Sequence, residues 1–481
     1  MTKQEAVIKY IEDNYLQFNR LRHDVVSDKL QIRLSGEEAM RLLGERQEYW
    51  REMTKHDINS IVCHCAQECD VNITSREVMT ALQSDLIPDV HPLREYILSL
   101  PPFTPDQPDW IDWVAQQVHV RSGAPDRPLG CRSAQVPVDG RSAAPVDNAM
   151  LFSTASTTSD LQQCDPQCSA SETIYSEQRE RSEADAFWRA CFKKWFVAMV
   201  ASWMKDEVVN HQVLVLIGKQ GIYKTTWLEH LIPPHLRAYA CKLANSADLN
   251  KDERLRIAEF GLISLDEIDS MNNRELNQLK SIITATDVNE RAAYAYTKER
   301  RVRLASFCAS GNRRDFLTDI TGNRRWLPFE VESIQNPFTT LLPYERMYAQ
   351  AWALAQDPFF SYWFDLDEIE VLEQHNQHFR DESNEEQLLA ILFDIPAEGR
   401  GEFMTTAQIS ERLVTYGNIK QPMALCRLGT VLGKAGFRAV TRNAGSGRAR
   451  GWIVYQRDND EIKALRRLLK DETSQLDTAI Y

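Results

Sequence analysis

No run of about eighteen apolar residues occurs anywhere in the chain, so no membrane-spanning helix is expected. The opening residues Met1-Thr2-Lys3-Gln4-Glu5-Ala6 lack the apolar core of a secretory leader, which points to a cytoplasmic protein with reduced thiols. The 10 cysteines lack the spacing of a structural zinc site. Cys63, Cys65 and Cys69 cluster around His64 in a helix-like segment, and Cys164 and Cys168 form a loose pair in low-complexity sequence. A basic excess is also missing. The formal net charge is −13, so any contact with nucleic acid must use local basic patches.

Large apolar residues become sparse over residues 121–182, where Ser, Pro, Ala, Gly and Gln dominate. Such a stretch buries too little surface to offset its ordering entropy and is expected to be a disordered linker or insertion. It separates a mostly helical N-terminal domain, 1–120, from a core at 183–335. In the N-terminal part, residues 28–34 alternate like a strand, and Ser75 is the expected cap of a helix over 75–82. A helical connector (336–384), a small domain (385–457) and a charged tail helix (458–481) complete the chain. No catalytic pattern stands out in the first domain.

The strongest motif begins with the apolar run Gln212-Val213-Leu214-Val215-Leu216-Ile217, which reads as a buried strand. Gly218-Lys219-Gln220-Gly221-Ile222-Tyr223-Lys224-Thr225-Thr226 follows. Glycines allow a turn whose N–H groups face phosphate oxygens. A lysine then meets the β and γ phosphates, and a hydroxyl at the next position ligates Mg²⁺. Gly218, Gly221, Lys224, Thr225 and Thr226 are thus the candidate nucleotide-binding residues for ATP. Tyr223 stands where the general pattern has its second glycine, so its side chain must point away from the phosphates or the loop must differ.

A second apolar strand, Phe260-Gly261-Leu262-Ile263-Ser264-Leu265, ends in Asp266-Glu267. Asp266 with Thr225 is the candidate Mg²⁺ pair, and Glu267 the candidate general base toward the attacking water. A third strand, 304–310, leads to Asn312, placed to contact the γ-phosphate. Downstream, Arg324 and Arg325 adjoin an apolar strand. A permanent planar cation there suits γ-phosphate stabilisation, in trans if the chain assembles.

Two basic segments are candidates for DNA. Tyr294 and Tyr296 share a strand face, with Lys298 and Arg300 beyond them at a hairpin tip, a combination suited to single strands. In the C-terminal domain three helices precede two strands, the winged-helix pattern. Residues 414–457 contain no Asp or Glu, while Arg438, Arg442, Arg448 and Arg450 offer a phosphate-facing surface, with duplex as the expected partner. The expected fold class is therefore α/β, a P-loop NTPase core with a helical N-terminal region and a C-terminal winged helix.

These motifs, with Leu279-Lys280-Ser281-Ile282-Ile283-Thr284, Arg291-Ala292-Ala293-Tyr294, Gly311-Asn312-Arg313-Arg314-Asp315-Phe316-Leu317 and Gly322-Asn323-Arg324-Arg325, resemble the virulence-associated protein E family. That family is similar to superfamily 3 helicases of phages and mobile elements. The resemblance spans about residues 185–332. It implies an AAA+-like core, a homo-oligomeric ring, Mg²⁺-dependent ATP hydrolysis and a helicase-like motor in replication of a mobile element, with priming left to a separate primase. Lys224, Thr225, Asp266, Glu267 and Asn312 fall on the family's nucleotide motifs, and Arg324 and Arg325 on its paired-arginine signature. Two rival readings are an ATP-switched DNA-binding regulator and a DNA-binding adaptor with a degenerate loop.

Overall fold

The structure, a computed structural model, describes residues 2–35, 49–121, 166–243, 256–290, 299–317, 323–380, 384–396, 401–420, 422–444 and 447–465. It begins with helix α1 (Lys3–Ile11), where Thr2 accepts the Glu5 N–H and Glu5 reciprocates. Strands β1 (Leu21–Asp24), β2 (Lys29–Leu34) and β3 (Tyr49–Glu52) follow, then helices α2 (Lys55–Cys69) and α3 (Ser75–Leu82) and strand β4 (Asp89–Val90). The strands form a sheet in the order β3-β2-β1-β4. The strand expected over 28–34 is β2, and the correction is that β1, β3 and β4 join it in a region that is otherwise mostly helical. These strands are short, and β1 and β3 carry charged residues that mask their alternation. The cap of α3 is also corrected: Thr74, not Ser75, accepts the Glu77 N–H.

Helices α4 (Pro92–Ser99) and α5 (Trp110–Ala115) and strand β5 (Val118–Val120) pack into the central core rather than into the N-terminal cluster. The long helix α6 (Pro166–Met204) starts inside the predicted linker. Its aromatic side chains Trp188, Phe192, Trp195, Phe196 and Trp203 recur at helical spacing and are fully buried. The indole N–H of Trp195 donates to Phe307 O (3.1 Å) and that of Trp203 to Gly261 O (3.1 Å), tying the helix to two strands of the sheet below.

That sheet is built from β5, β6 (Val213–Ile217), β7 (Ala240–Leu243), β8 (Leu262–Leu265), β11 (Ser306–Gly311) and β12 (Trp326–Ile334), in the order β5-β12-β6-β11-β8-β7. Helix α7 (Lys224–His230) follows β6, and helix α8 (Asn273–Ile283) follows β8. Strands β9 (Asp287–Glu290) and β10 (Glu299–Val302) pair antiparallel beside the sheet. All neighbours from β12 to β7 are parallel, and β5 closes one edge antiparallel to β12. β6 and β8 are buried at every position, as parallel strands covered on both faces must be. Helices α9 (Tyr344–Gln356) and α10 (Leu366–Gln377), from the predicted connector, belong to the same unit.

A second unit comprises Asp315–Asn323 and Phe379–Tyr481. It contains α11 (Asn384–Leu392), β13 (Phe393–Asp394), β14 (Glu402–Met404), α12 (Thr406–Gly417), α13 (Leu425–Lys434), β15 (Arg438–Ala444) and β16 (Gly447–Gln456). Thr405 caps α12 by accepting the Gln408 N–H. Its core joins Leu389, Leu392, Ile409, Leu413, Leu428, Leu432, Trp452 and Val454. The tail residues 466–481 lie outside the described residues, as do 122–165 of the predicted linker.

Candidate active site

Strands β6, β8 and β11 run in the same direction, so the segments that follow them meet at one edge of the sheet. In open α/β sheets that carboxyl edge is where ligands sit. The loop after β6 is shaped by its glycines. A Cβ at Gly218 would lie 2.6 Å from the Val331 carbonyl oxygen, so only glycine fits there. Gly221 takes φ +87°, a left-handed conformation natural to glycine. Tyr223 also adopts a left-handed backbone, φ 67° and ψ 17°, just before α7. Its ring turns to an edge-on contact with Phe338, the centroids 6.4 Å apart.

Lys224 is buried beneath the loop. Its ammonium donates to Gly218 O (2.7 Å), Lys219 O (2.7 Å) and Asn312 Oδ1 (3.3 Å). Burial lowers its pKa, while Asp269 and Asp266 oppose the shift. The next residue, Thr225, donates to Asp266 Oδ1 (3.2 Å) and lies 2.9 Å from Ser310 Oγ. Ser310 Oγ also donates to Asp266 Oδ1 (2.7 Å), and Lys242 Nζ reaches Asp266 Oδ2 at 2.9 Å. Burial pushes the Asp266 carboxyl upward, but the bonds from Lys242, Ser310 and Thr225 hold it below its ordinary value. Thr226 is half-buried one position further along α7, its carbonyl oxygen 2.7 Å from His230 Nδ1.

Glu267 is exposed and also left-handed, at φ 52° and ψ 49°. A non-glycine residue held there costs about 1 kcal/mol or more, and such strain concentrates at functional sites. Asn312 follows β11, and Asp269 fixes its position. Asp269 Oδ1 accepts the Asn312 N–H (3.2 Å) and Oδ2 the Arg313 N–H (3.1 Å). A Cβ on Gly311 would meet Asp269 Oδ1 and Ile217 Cδ1, each at 2.8 Å. Thr225, Asp266 and Ser310 make an all-oxygen donor set with a single carboxylate. This suits Mg²⁺, which usually takes one or two carboxylates together with phosphate and water oxygens. Among the described residues no group of three or more His, Cys, Asp or Glu could hold a metal by itself.

Arg324 and Arg325 are elsewhere. They precede Trp326, which is registered with Val213 at the start of β6, so they occupy the amino edge of the sheet. Five residues of strand separate that level from Gly218, about 17 Å. Neither makes a hydrogen bond or ion pair among the described residues, and both line a pocket with His211, Thr284 and Trp363.

The DNA candidates are dispersed. Tyr296 and Lys298 lie outside the described residues. Arg300, on β10, donates to Asp287 of β9 at 2.6 Å. In the second unit Thr441 pairs with Arg450 and Asn443 with Arg448, whereas Arg438 faces Ile453 and Arg442 faces Ala449. The strand period of two therefore puts Arg438 and Arg442 on one face of the hairpin and Arg448 and Arg450 on the other. The four arginines expected to share one surface thus lie on two faces. Arg442 additionally packs over Phe403, 5.1 Å from the ring centre.

Lys242, Ser310 and Asp269 were not singled out from the sequence. Lys242 and Ser310 sit on strands flanking the Asp-Glu strand, and only the strand order brings them together. Asp269 lies three residues past Asp266, where a further acidic residue carried no spacing signal.

A mixed α/β protein with a glycine-shaped loop, a buried lysine and a hydroxyl–carboxylate cluster at the carboxyl edge of a parallel sheet is the class these features define. Residues 170–387 match the virulence-associated protein E-like domain. The loop, Asp266, Glu267, Asn312 and both arginines all fall inside it. Among solved structures, the chain is similar to the apo structure of the NrS-1 C-terminal region, at 10% identity and TM-score 0.40, over 93% of this chain and 99% of that one. It is also similar to the A-form apo structure of that region, at 10% identity and TM-score 0.42, over 93% and 100%. No curated protein matches the chain. No described helix is long and apolar enough to cross a membrane.

Proposed function

We propose that the chain is a P-loop ATPase of AAA+ type that acts on DNA as a helicase-like motor in replication of a phage or mobile element. The observation that carries this reading is the convergence of Lys224, Thr225, Asp266 and Asn312 after three parallel strands. Lys224 exchanges the loop carbonyls for β and γ phosphate oxygens of ATP. Glu267 takes a proton from the water that attacks the γ-phosphorus, as the bond to the β–γ bridging oxygen breaks. Asn312, tethered through Asp269, orients that water and the γ-phosphate. Mg²⁺, bound by Thr225 and the Asp266 carboxylate, would neutralise charge developing on the phosphate oxygens.

Arg324 and Arg325 lie too far from the loop of their own chain to serve it, which supports a role in a neighbouring subunit's site and hence a homo-oligomeric ring. The second unit, with three helices and a β-hairpin, is read as a winged helix that meets duplex DNA. The β9–β10 hairpin with Tyr296 and Lys298 is read as the single-strand contact. Priming falls to a separate primase. A second reading, an ATP-switched DNA-binding regulator without strand separation, is favoured by the closed Arg300–Asp287 pair.

The test is ATP hydrolysis with and without single-stranded DNA. DNA is expected to stimulate turnover in the wild type, Lys224→Ala to abolish it, and Lys298→Ala to remove only the stimulation. Hydrolysis indifferent to DNA supports the regulator, and no hydrolysis in either condition overturns the ATPase reading.

A further inference from the structure

The Asp266 carboxylate already has a cation beside it. Lys242 extends from the edge strand β7, where it pairs with Ser264, and places Nζ 2.9 Å from Asp266 Oδ2. Two hydroxyls meanwhile occupy Oδ1. Glu229 stands at the other side of the ammonium, with Oε1 at 3.7 Å. Glu229 is four residues after Thr225 on α7, so the two share a helix face. A monovalent cation at this carboxylate and a divalent cation bound through the same carboxylate repel each other and compete for one negative charge.

We propose that Lys242 is an internal counter-cation for Asp266, displaced toward Glu229 when the site takes up a metal–nucleotide complex. The inference rests on the nucleotide-site reading above. Lys242 is a positioning residue here. It holds Asp266 against Thr225 and Ser310 while no metal competes, and Glu229 receives the ammonium when one does. Uptake of metal is then an exchange of partners rather than an addition to an open carboxylate, and the metal concentration needed is set partly by Lys242.

The measurement is binding of a fluorescent ATP analogue across a Mg²⁺ titration, with no turnover required. Lys242→Met keeps the length of the side chain and removes the charge. It is expected to lower the half-saturating Mg²⁺ concentration by about tenfold, at a site partly screened by solvent. Nucleotide affinity in excess chelator should not change. Glu229→Gln removes the alternative partner and is expected to raise the half-saturating concentration by about threefold. A purely structural Lys242 would not move the two variants in opposite directions. If Lys242→Met leaves the Mg²⁺ dependence unchanged, or weakens nucleotide binding with chelator present, the exchange is overturned while the nucleotide site stands. If the wild type binds no nucleotide at any Mg²⁺ concentration, both readings fall.

Discussion

Tyr223 holds a left-handed backbone at the position where phosphate loops ordinarily have glycine. The conformation costs a non-glycine residue about 1–2 kcal/mol. The Phe338 contact returns part of that, about 0.5–1.5 kcal/mol for an aromatic pair. Tyr223→Gly removes the strain, loses the ring contact and gains unfolded-state entropy, three terms that nearly cancel. Its stability is expected within about 1 kcal/mol of the wild type. Tyr223→Ile keeps the strain, adds β-branching and loses the ring pair, and should be destabilised by about 2 kcal/mol. Thermal melts of both variants check this, and a Tyr223→Gly protein as unstable as Tyr223→Ile would contradict it. At this scale the sequence was most informative where residues that act together are also neighbours. Lys224 and Thr225 follow the glycines directly, and Asp266 ends an apolar run. Lys242 and Ser310 were invisible because they reach Asp266 only across strands, from positions 24 residues before it and 44 residues after it. The fate of the Tyr223 side chain, left open by the motif, depends on Phe338, over a hundred positions away.

Between elements, Arg303 joins the end of β10 to the start of β11 and is 1% exposed. Its guanidinium donates to backbone oxygens of Ala305 (3.0 Å), Asn210 (2.9 Å), Ile282 (3.4 Å), Ala285 (3.3 Å) and, at the closest approach, Ile283. Ile282 and Ile283 are the last residues of α8, whose carbonyls have no partner within the helix. One guanidinium therefore closes a helix end and fixes the segment before β6 at once. Arg303→Met removes a charged donor from all of these carbonyls at once, although Ile282 O still accepts the Ala285 N–H (3.1 Å), and is expected to cost about 3 kcal/mol in chemical denaturation. Arg303→Lys should recover little, because an ammonium cannot span the same fork. A loss below about 1 kcal/mol in either variant would show that water replaces the fork. The elements themselves were legible where burial is uniform, as in β6 and β8, and in the helical connector, as in α9. They were missed where strands are short and charged, as in β1 and β3, whose pairing comes from tertiary contacts. The helix over Pro166–Met204 starts in sequence that composition alone assigns to a linker, and its apolar content is concentrated after residue 183.

At the scale of the molecule, the position of Arg324 and Arg325 has the largest consequence. The paired arginines were legible as residues, but their place was not, because it follows from β12 running parallel to β6. A parallel strand beginning with these arginines puts them at the amino edge, while its neighbour delivers the glycine-shaped loop at the carboxyl edge. A single copy therefore carries each half of the proposed catalytic arrangement on opposite sides of one sheet. Head-to-tail packing joins the two halves, and such a heterologous interface closes into a ring when its rotation permits. This predicts complementation. Lys224→Ala subunits lack a working loop but keep the arginines, whereas subunits with both Arg324→Ala and Arg325→Ala keep the loop. Each protein alone should be inactive in ATP hydrolysis. In an equal mixture, a site works when a subunit with an intact loop is followed by one with intact arginines, which random assembly gives at about a quarter of interfaces. Recovery near a quarter of wild-type turnover, appearing on mixing and absent from either protein alone, is the expected result. If the two variants co-assemble by size and no activity returns, the arginines do not act between subunits, and their unpaired positions beside His211 and Trp363 must serve another ligand.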